Sequence, residues 1–220
     1  MRGIIFIIYI ATRVVVTAFA DEHDEIKRLL LAEEGGNIEA LAKINLGFPD
    51  VDTWIVNRED GYTHIYSVDG EKNIRYVTLI ATVEQSEVRY WDTNIQSNVD
   101  LEFDIMQNIP GTRLGSKAVA FGDYNDDGID EIFIIIPYNE SRCNIWRICE
   151  NGEKELYFAS RFNITEPKGP PPVVFINYQG LDGIKVNVWD YPTKRYVWDF
   201  YAWSKMNNKF VIIAEDIGER

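Results

Sequence analysis

From Asp52 onward the chain is a succession of short runs rich in Ile, Val, Tyr, Trp and Thr, each closed by a cluster of turn residues. Examples are Tyr62–Val68, Glu131–Ile136, Val173–Tyr178, Arg195–Trp203 and Lys209–Ala214, and the same texture covers Val88–Thr93 and Leu101–Met106. The connectors include Asp60-Gly61, Asp69-Gly70, Asn151-Gly152, Asp182-Gly183 and Asn207-Asn208. Such pairs supply the positive φ angles that tight hairpins need. Runs this short, bounded this regularly, predict antiparallel hairpins and an all-β domain over residues 49–220. A propeller-like arrangement fits that pattern, and a sandwich is the alternative. One stiff connector, Glu166-Pro167-Lys168-Gly169-Pro170-Pro171-Pro172, reads as an extended internal loop.

The first 48 residues differ in texture. Arg2 precedes an apolar stretch from Ile4 to Ala11, Ala18-Phe19-Ala20 has the small-residue cleavage pattern, and DEHDE follows at once. Residues 1–20 therefore read as a signal peptide, with export to the periplasm or the extracellular space. Arg13 interrupts the apolar stretch and argues against a permanent membrane anchor, so no stable membrane insertion is expected after cleavage. Residues 21–48 are predicted to form short helices. Ile26, Leu29 and Leu30 make one apolar stripe, Gly35-Gly36 breaks it, and Ile38, Leu41, Ala42 and Ile44 make another.

The net charge is −13. Nucleic acid and anionic membranes both demand a basic face, so both are excluded as expected partners. Export permits disulfides, but the only cysteines, Cys143 and Cys149, lie six residues apart in RCNIWRIC. On one strand they would be about 20 Å apart, far beyond the ~4.4–6.8 Å that a disulfide spans. Two buried thiols are expected.

The stretch GDYNDDGIDEIFIII, Gly122 to Ile136, carries the chemistry. With Asp123 as loop position one, Asn125 is three, Asp127 five, Gly128 six, Ile129 seven and Glu131 nine. Alternate side chains of a tight loop turn inward, a glycine permits the bend, and a backbone carbonyl at seven can add an oxygen. The first half of an EF-hand loop is built this way around Ca²⁺, which takes six to eight hard oxygen ligands. The full EF-hand fails, because position twelve is Ile134 and the flanks read as strands. Without a cation, three inward carboxylates would repel and one would tend to hold a proton. The alternative is a solvated Asp/Asn/Gly turn with no ion.

This shorter pattern resembles the FG-GAP and VCBS-type calcium-loop repeats of β-propeller proteins, of the form D-x-[DN]-x-D-G-x-x-[DE] between strands. The resemblance covers residues 119–138. It implies a Ca²⁺ ion held by the side chains of Asp123, Asn125, Asp127 and Glu131 and the carbonyl of Ile129. Position nine is Glu where Asp is commoner, and the loop occurs once. The analogy it supports is a compact propeller-like domain of the kind found in exported bacterial proteins.

No catalytic pattern competes with this. The chain has only His23 and His64, and it lacks a nucleophile elbow, a metalloprotease helix motif and a phosphate loop. The ion is expected to be structural, the chain non-enzymatic, and a hydrolase the last of the alternatives. The aromatic strand Tyr196 to Trp203 could present a platform to a sugar, although burial on both faces is the plainer reading. The expected function is an exported calcium-binding interaction module with a protein partner. By resemblance alone, immunity-type inhibitors of cell-wall hydrolases are one form of it, and a glycan is the alternative partner.

Overall fold

The computed structural model describes residues 22–33, 35–59, 62–81, 109–114, 119–136, 142–162 and 172–218. The signal-peptide segment, the runs Val88–Thr93 and Leu101–Met106, the Asp60-Gly61 connector and nearly all of the Pro-rich connector lie outside them.

The described chain is all-β, with one short helix, α1, over residues 22–33. Its strands are β1 (Ile38–Ile44), β2 (Val51–Arg58), β3 (Tyr62–Asp69), β4 (Ile74–Ala81), β5 (Thr112–Arg113), β6 (Val119–Gly122), β7 (Glu131–Ile136), β8 (Arg142–Ile148), β9 (Lys154–Arg161), β10 (Val173–Tyr178), β11 (Leu181–Asp190), β12 (Arg195–Ser204) and β13 (Lys209–Ala214). They form three antiparallel sheets in sequence order, β1–β4 (sheet I), β5–β9 (sheet II) and β10–β13 (sheet III). Each sheet is an open meander, because every neighbouring pair is joined directly along the chain and none closes into a barrel.

The sheets stack in layers, and the sequence of β7 shows why. Ile132 and Ile134 point into a cluster with Ile44, Ile55 and Ile65 of sheet I. Phe133 and Ile135 point the other way, into a cluster with Val173, Ile184 and Val186 of sheet III. A strand buried on both faces reads as an unbroken apolar run, as β7 does from Ile132 to Ile135 after Glu131. Each fully buried side chain of this kind contributes about 1.5–3 kcal/mol. Beyond sheet I, Ile26 and Leu30 of α1 close a third cluster over Trp54, Val56 and Tyr66. The order of layers is therefore α1, sheet I, sheet II, sheet III, a face-packed stacking in keeping with the sandwich alternative. Among the described residues no helix is long and apolar enough to cross a membrane.

Two local expectations are corrected. The second N-terminal stripe is a strand: Ala40, Ala42 and Ile44 share the face toward sheet II, while Ile38 and Leu41 face the helix side. The spacing fits either period over so few residues. Pairing with β2, from Ile44↔Thr53 to Ile38↔Arg58, decides it, so residues 21–48 hold one helix and one strand. The Asp182-Gly183 pair is also not a connector. The β10–β11 turn is Gln179-Gly180, both at positive φ (53° and 86°), and Gly183 lies inside β11. A Cβ there would stand 2.1 Å from the Tyr201 carbonyl oxygen and 2.7 Å from the Phe200 ring. That glycine serves close approach between strands rather than a bend.

Candidate functional site

The acidic loop joins β6 to β7 beyond the Gly122↔Glu131 pair. Its backbone is organised by its own side chains. Asp123 accepts the Asp127 N–H through Oδ1 (3.0 Å) and the Gly128 N–H through Oδ2 (2.8 Å). Asn125 Oδ1 also accepts the Asp127 N–H (3.0 Å), and Asp127 Oδ1 accepts the Ile129 N–H (2.9 Å). Short Asp and Asn side chains bind neighbouring amides in this way and hold a loop open against the strands. Gly128, at φ 84°, takes the left-handed conformation at the bend.

Three of the five expected ligand residues converge. Asn125 Nδ2 lies 3.3 Å from Asp127 Oδ2 and 3.2 Å from Glu131 Oε1. Glu131 is fully buried, and its Oε2 accepts the Tyr124 N–H at 3.0 Å. Asp123 spends both oxygens on backbone amides, and the Ile129 side chain packs over Gly47.

Into this convergence comes a residue that sequence reasoning missed. Arg147 Nη1 donates to Glu131 Oε1 at 2.8 Å and to Asp127 Oδ1 and Oδ2 at 3.3 and 3.2 Å. The sheet places it there. Ile132 pairs with Trp146 across β7 and β8, so the next step of the ladder sets Arg147 opposite Glu131. The signal was present in RCNIWRIC, but only a register for the β7–β8 hairpin would have exposed it.

The electrostatics follow. Burial pushes the Glu131 carboxyl up to about 7, against the lowering effect of the Tyr124 N–H and of Arg147, and the Asp127 charge adds to the rise. One carboxyl of the group thus tends to hold a proton, as crowding implied, but burial is the larger cause and repulsion the smaller. Arg147 is held above its ordinary value by Glu131 and Asp127, which outweigh its own burial.

The loop is also tied to sheet I. Asn45, just after β1, donates its N–H to Asp130 Oδ2 (2.8 Å) and its Nδ2 to the Gly128 carbonyl (2.8 Å), and its carbonyl accepts the Asp130 N–H (2.7 Å). Asp130 therefore bonds to the neighbouring sheet.

Among the described residues no three His, Cys, Asp or Glu side chains are grouped closely enough to hold a metal as they stand. The donor chemistry nonetheless fits a hard divalent cation. Asp123, Asn125, Asp127 and Glu131 all carry side-chain oxygens within nine residues of chain, and oxygen-only ligands favour Ca²⁺ or Mg²⁺ over zinc or copper.

The remaining candidates have structural places. His23 Nε2 lies 2.8 Å from the Leu41 carbonyl and its ring packs edge-on to Trp54. His64 stacks on Tyr66 and meets Tyr76 edge-on. Both cysteines are free thiols, Cys143 buried and Cys149 half-buried, as expected for the first and less deeply than expected for the second. In the aromatic strand Trp198 and Phe200 are buried, which is the plainer of the two readings. No protein-family model matches this sequence, and no curated protein matches it at a significant level.

Proposed function

We propose that the protein is an exported, non-enzymatic interaction module and that its 123–131 loop is a calcium-binding brace. The observation that carries this reading is the convergence of Asn125, Asp127 and Glu131 within a loop clamped to sheet I through Asn45. A cation held there by Asp123, Asn125, Asp127, the Ile129 carbonyl and Glu131 would neutralise the carboxylates and fix the β6–β7 hairpin against its neighbour. It would supply charge and rigidity, and no reaction step. The two histidines, the commonest general bases, are engaged in packing, which suits a binding role. Three successive meanders packed face to face are also the plan of propeller blades, in line with the FG-GAP resemblance.

Terbium in place of calcium tests the loop directly, because an aromatic such as Tyr124 can sensitise its emission. Emission should rise on addition to the wild-type protein and be lost in Asp127→Ala. Equal emission from both proteins would remove the loop as the site.

A glycan-binding reading has one observation in its favour. At the β11–β12 hairpin Trp189 and Tyr196 pair at 4.8 Å between ring centroids, and both are exposed, with Tyr191 beside them in the turn. Glycan-array binding that Trp189→Ala abolishes would support it.

A further inference from the structure

We propose that the cleft between the acidic loop and sheet III receives a basic side chain of the protein partner. This rests on the reading of the protein as an interaction module, and it does not depend on calcium in the loop. The cleft has a volume of about 360 Å³ and is lined by the arm of the loop that carries Tyr124 and Asp126, by Asp182 and Trp203 of sheet III and by Lys205 in the β12–β13 turn. Ligand pockets span ~300–1,000 Å³, so this cleft has room for one long side chain.

Its walls are aromatic. Tyr124 and Phe175 stack at 5.2 Å between centroids, which joins sheet II to sheet III at the floor. Trp203, half-buried, also lines the cleft and is braced by Tyr157 at 4.9 Å and Phe210 at 5.4 Å. A cation is attracted to such ring faces, and a guanidinium also stacks on them.

The mouth is charged, and its charges are available. Asp126 is exposed, sits at φ 59°, and its carboxylate makes no hydrogen bond or ion pair among the described residues. The backbone of the loop holds it at the rim although the cage beside it does not use it. Asp182 is exposed and uses one oxygen on Asn177 Nδ2 (2.8 Å), leaving the other open. Among the described residues Lys205 is the one cation at the mouth, and it forms no ion pair with them. Carboxylates exceed cations here, as they do over the whole chain at −13, so the field draws in a positive group. Aromatic walls with an acidic rim match the apolar stem and charged head of arginine or lysine.

The test is an NMR titration of the full mature chain with acetyl-Ala-Arg-Ala-amide and with its glutamine counterpart, with the indole signal of Trp203 assigned through Trp203→Phe. The arginine peptide should shift that signal saturably, and the glutamine peptide should not. Asp126→Asn with Asp182→Asn should weaken binding about tenfold or more, and Lys205→Ala should strengthen it. Asp126→Asn alone, which disturbs no bond, serves if the double variant does not fold. Equal binding of the glutamine peptide, indifference to the Asn variants, or a neutral oligosaccharide that moves the Trp203 signal where the arginine peptide does not would each overturn the proposal. A partner captured equally by the wild type and the double variant would also remove the cleft while leaving the interaction reading in place. Turnover of a substrate by a protein that still binds the arginine peptide would do the reverse.

Discussion

Arg147 stands 2.8 Å from a carboxylate, Glu131, that no solvent reaches. The crowding of acids in GDYNDDGIDEIFIII is answered within the chain itself by a cation from the neighbouring strand. Calcium, if bound as proposed, adds to a site that already carries one positive group.

Removing that group should expose its value. In chelator-treated protein at pH 8, Arg147→Met should lose about 3 kcal/mol, because it strands a buried charge. The loss should shrink at pH 6, where Glu131 can take up a proton instead. Denaturant unfolding at the two pH values measures both. Calcium should stabilise this variant more than it stabilises the wild type, since the guanidinium no longer shares the oxygens.

Glu131 sets a pH dependence of definite sign. Its carboxyl is raised from an ordinary value near 4.5 to about 7 in the folded protein, so between these values the folded state holds more protons than the unfolded chain. Stability from this group is therefore fully present below about pH 4.5, falls as pH rises, and is level above about 7. Relative to Glu131→Gln, the metal-free wild type should lose about 3 kcal/mol across that window. A difference that grows with pH in the wild type's favour would contradict the assignment.

The clamp between sheets rests on Asn45. Asn45→Ala removes the hydrogen bond to the Gly128 carbonyl and the one that Gly47 N–H makes to Asn45 Oδ1, at a cost of about 1–2 kcal/mol in urea unfolding. The same change should weaken calcium binding, because the loop would lose one of its three bonds to residue 45, the one at Gly128, while keeping every ligand. An unchanged affinity would show that the bond from the Asn45 side chain to Gly128 does not help to hold the loop for the ion.

Gly183→Ala is expected to destabilise by about 1–3 kcal/mol, since its Cβ would meet the Tyr201 backbone oxygen, which cannot move aside without shifting β12. Gly180→Ala places a methyl group in open space and should cost only the strain of its positive φ. A thermal melt of the two variants separates a packing glycine from a turn glycine.

Much of the fold was legible because burial writes itself into local pattern. The run Glu131–Ile136 could be read as a strand, and the helix 22–33 kept the stripe of Ile26, Leu29 and Leu30. β1 was illegible for a physical reason: seven residues carry too few periods to separate helix from strand, and the deciding term is its ladder with β2. The inward turn of Asn125, Asp127 and Glu131 could be read from spacing, because loop geometry is local. Arg147 and Asn45 could not, since each reaches the loop from another strand or sheet and depends on register and stacking. The aromatic cleft was hidden for the same reason, its Tyr124 and Trp203 meeting only through the packing of sheets II and III.

The central claim is that the carboxylates of this loop are held by a divalent cation as well as by Arg147. Titration of Ca²⁺ into chelator-treated wild-type protein, read by calorimetry and by the melting temperature, tests it most directly. Saturable heat at one site, absent in Asp127→Ala, is expected, with a stabilisation of about 2.7 kcal/mol at a hundredfold excess over Kd. No heat and no rise in melting temperature would contradict the claim and leave Arg147 as the loop's counter-charge among the described residues.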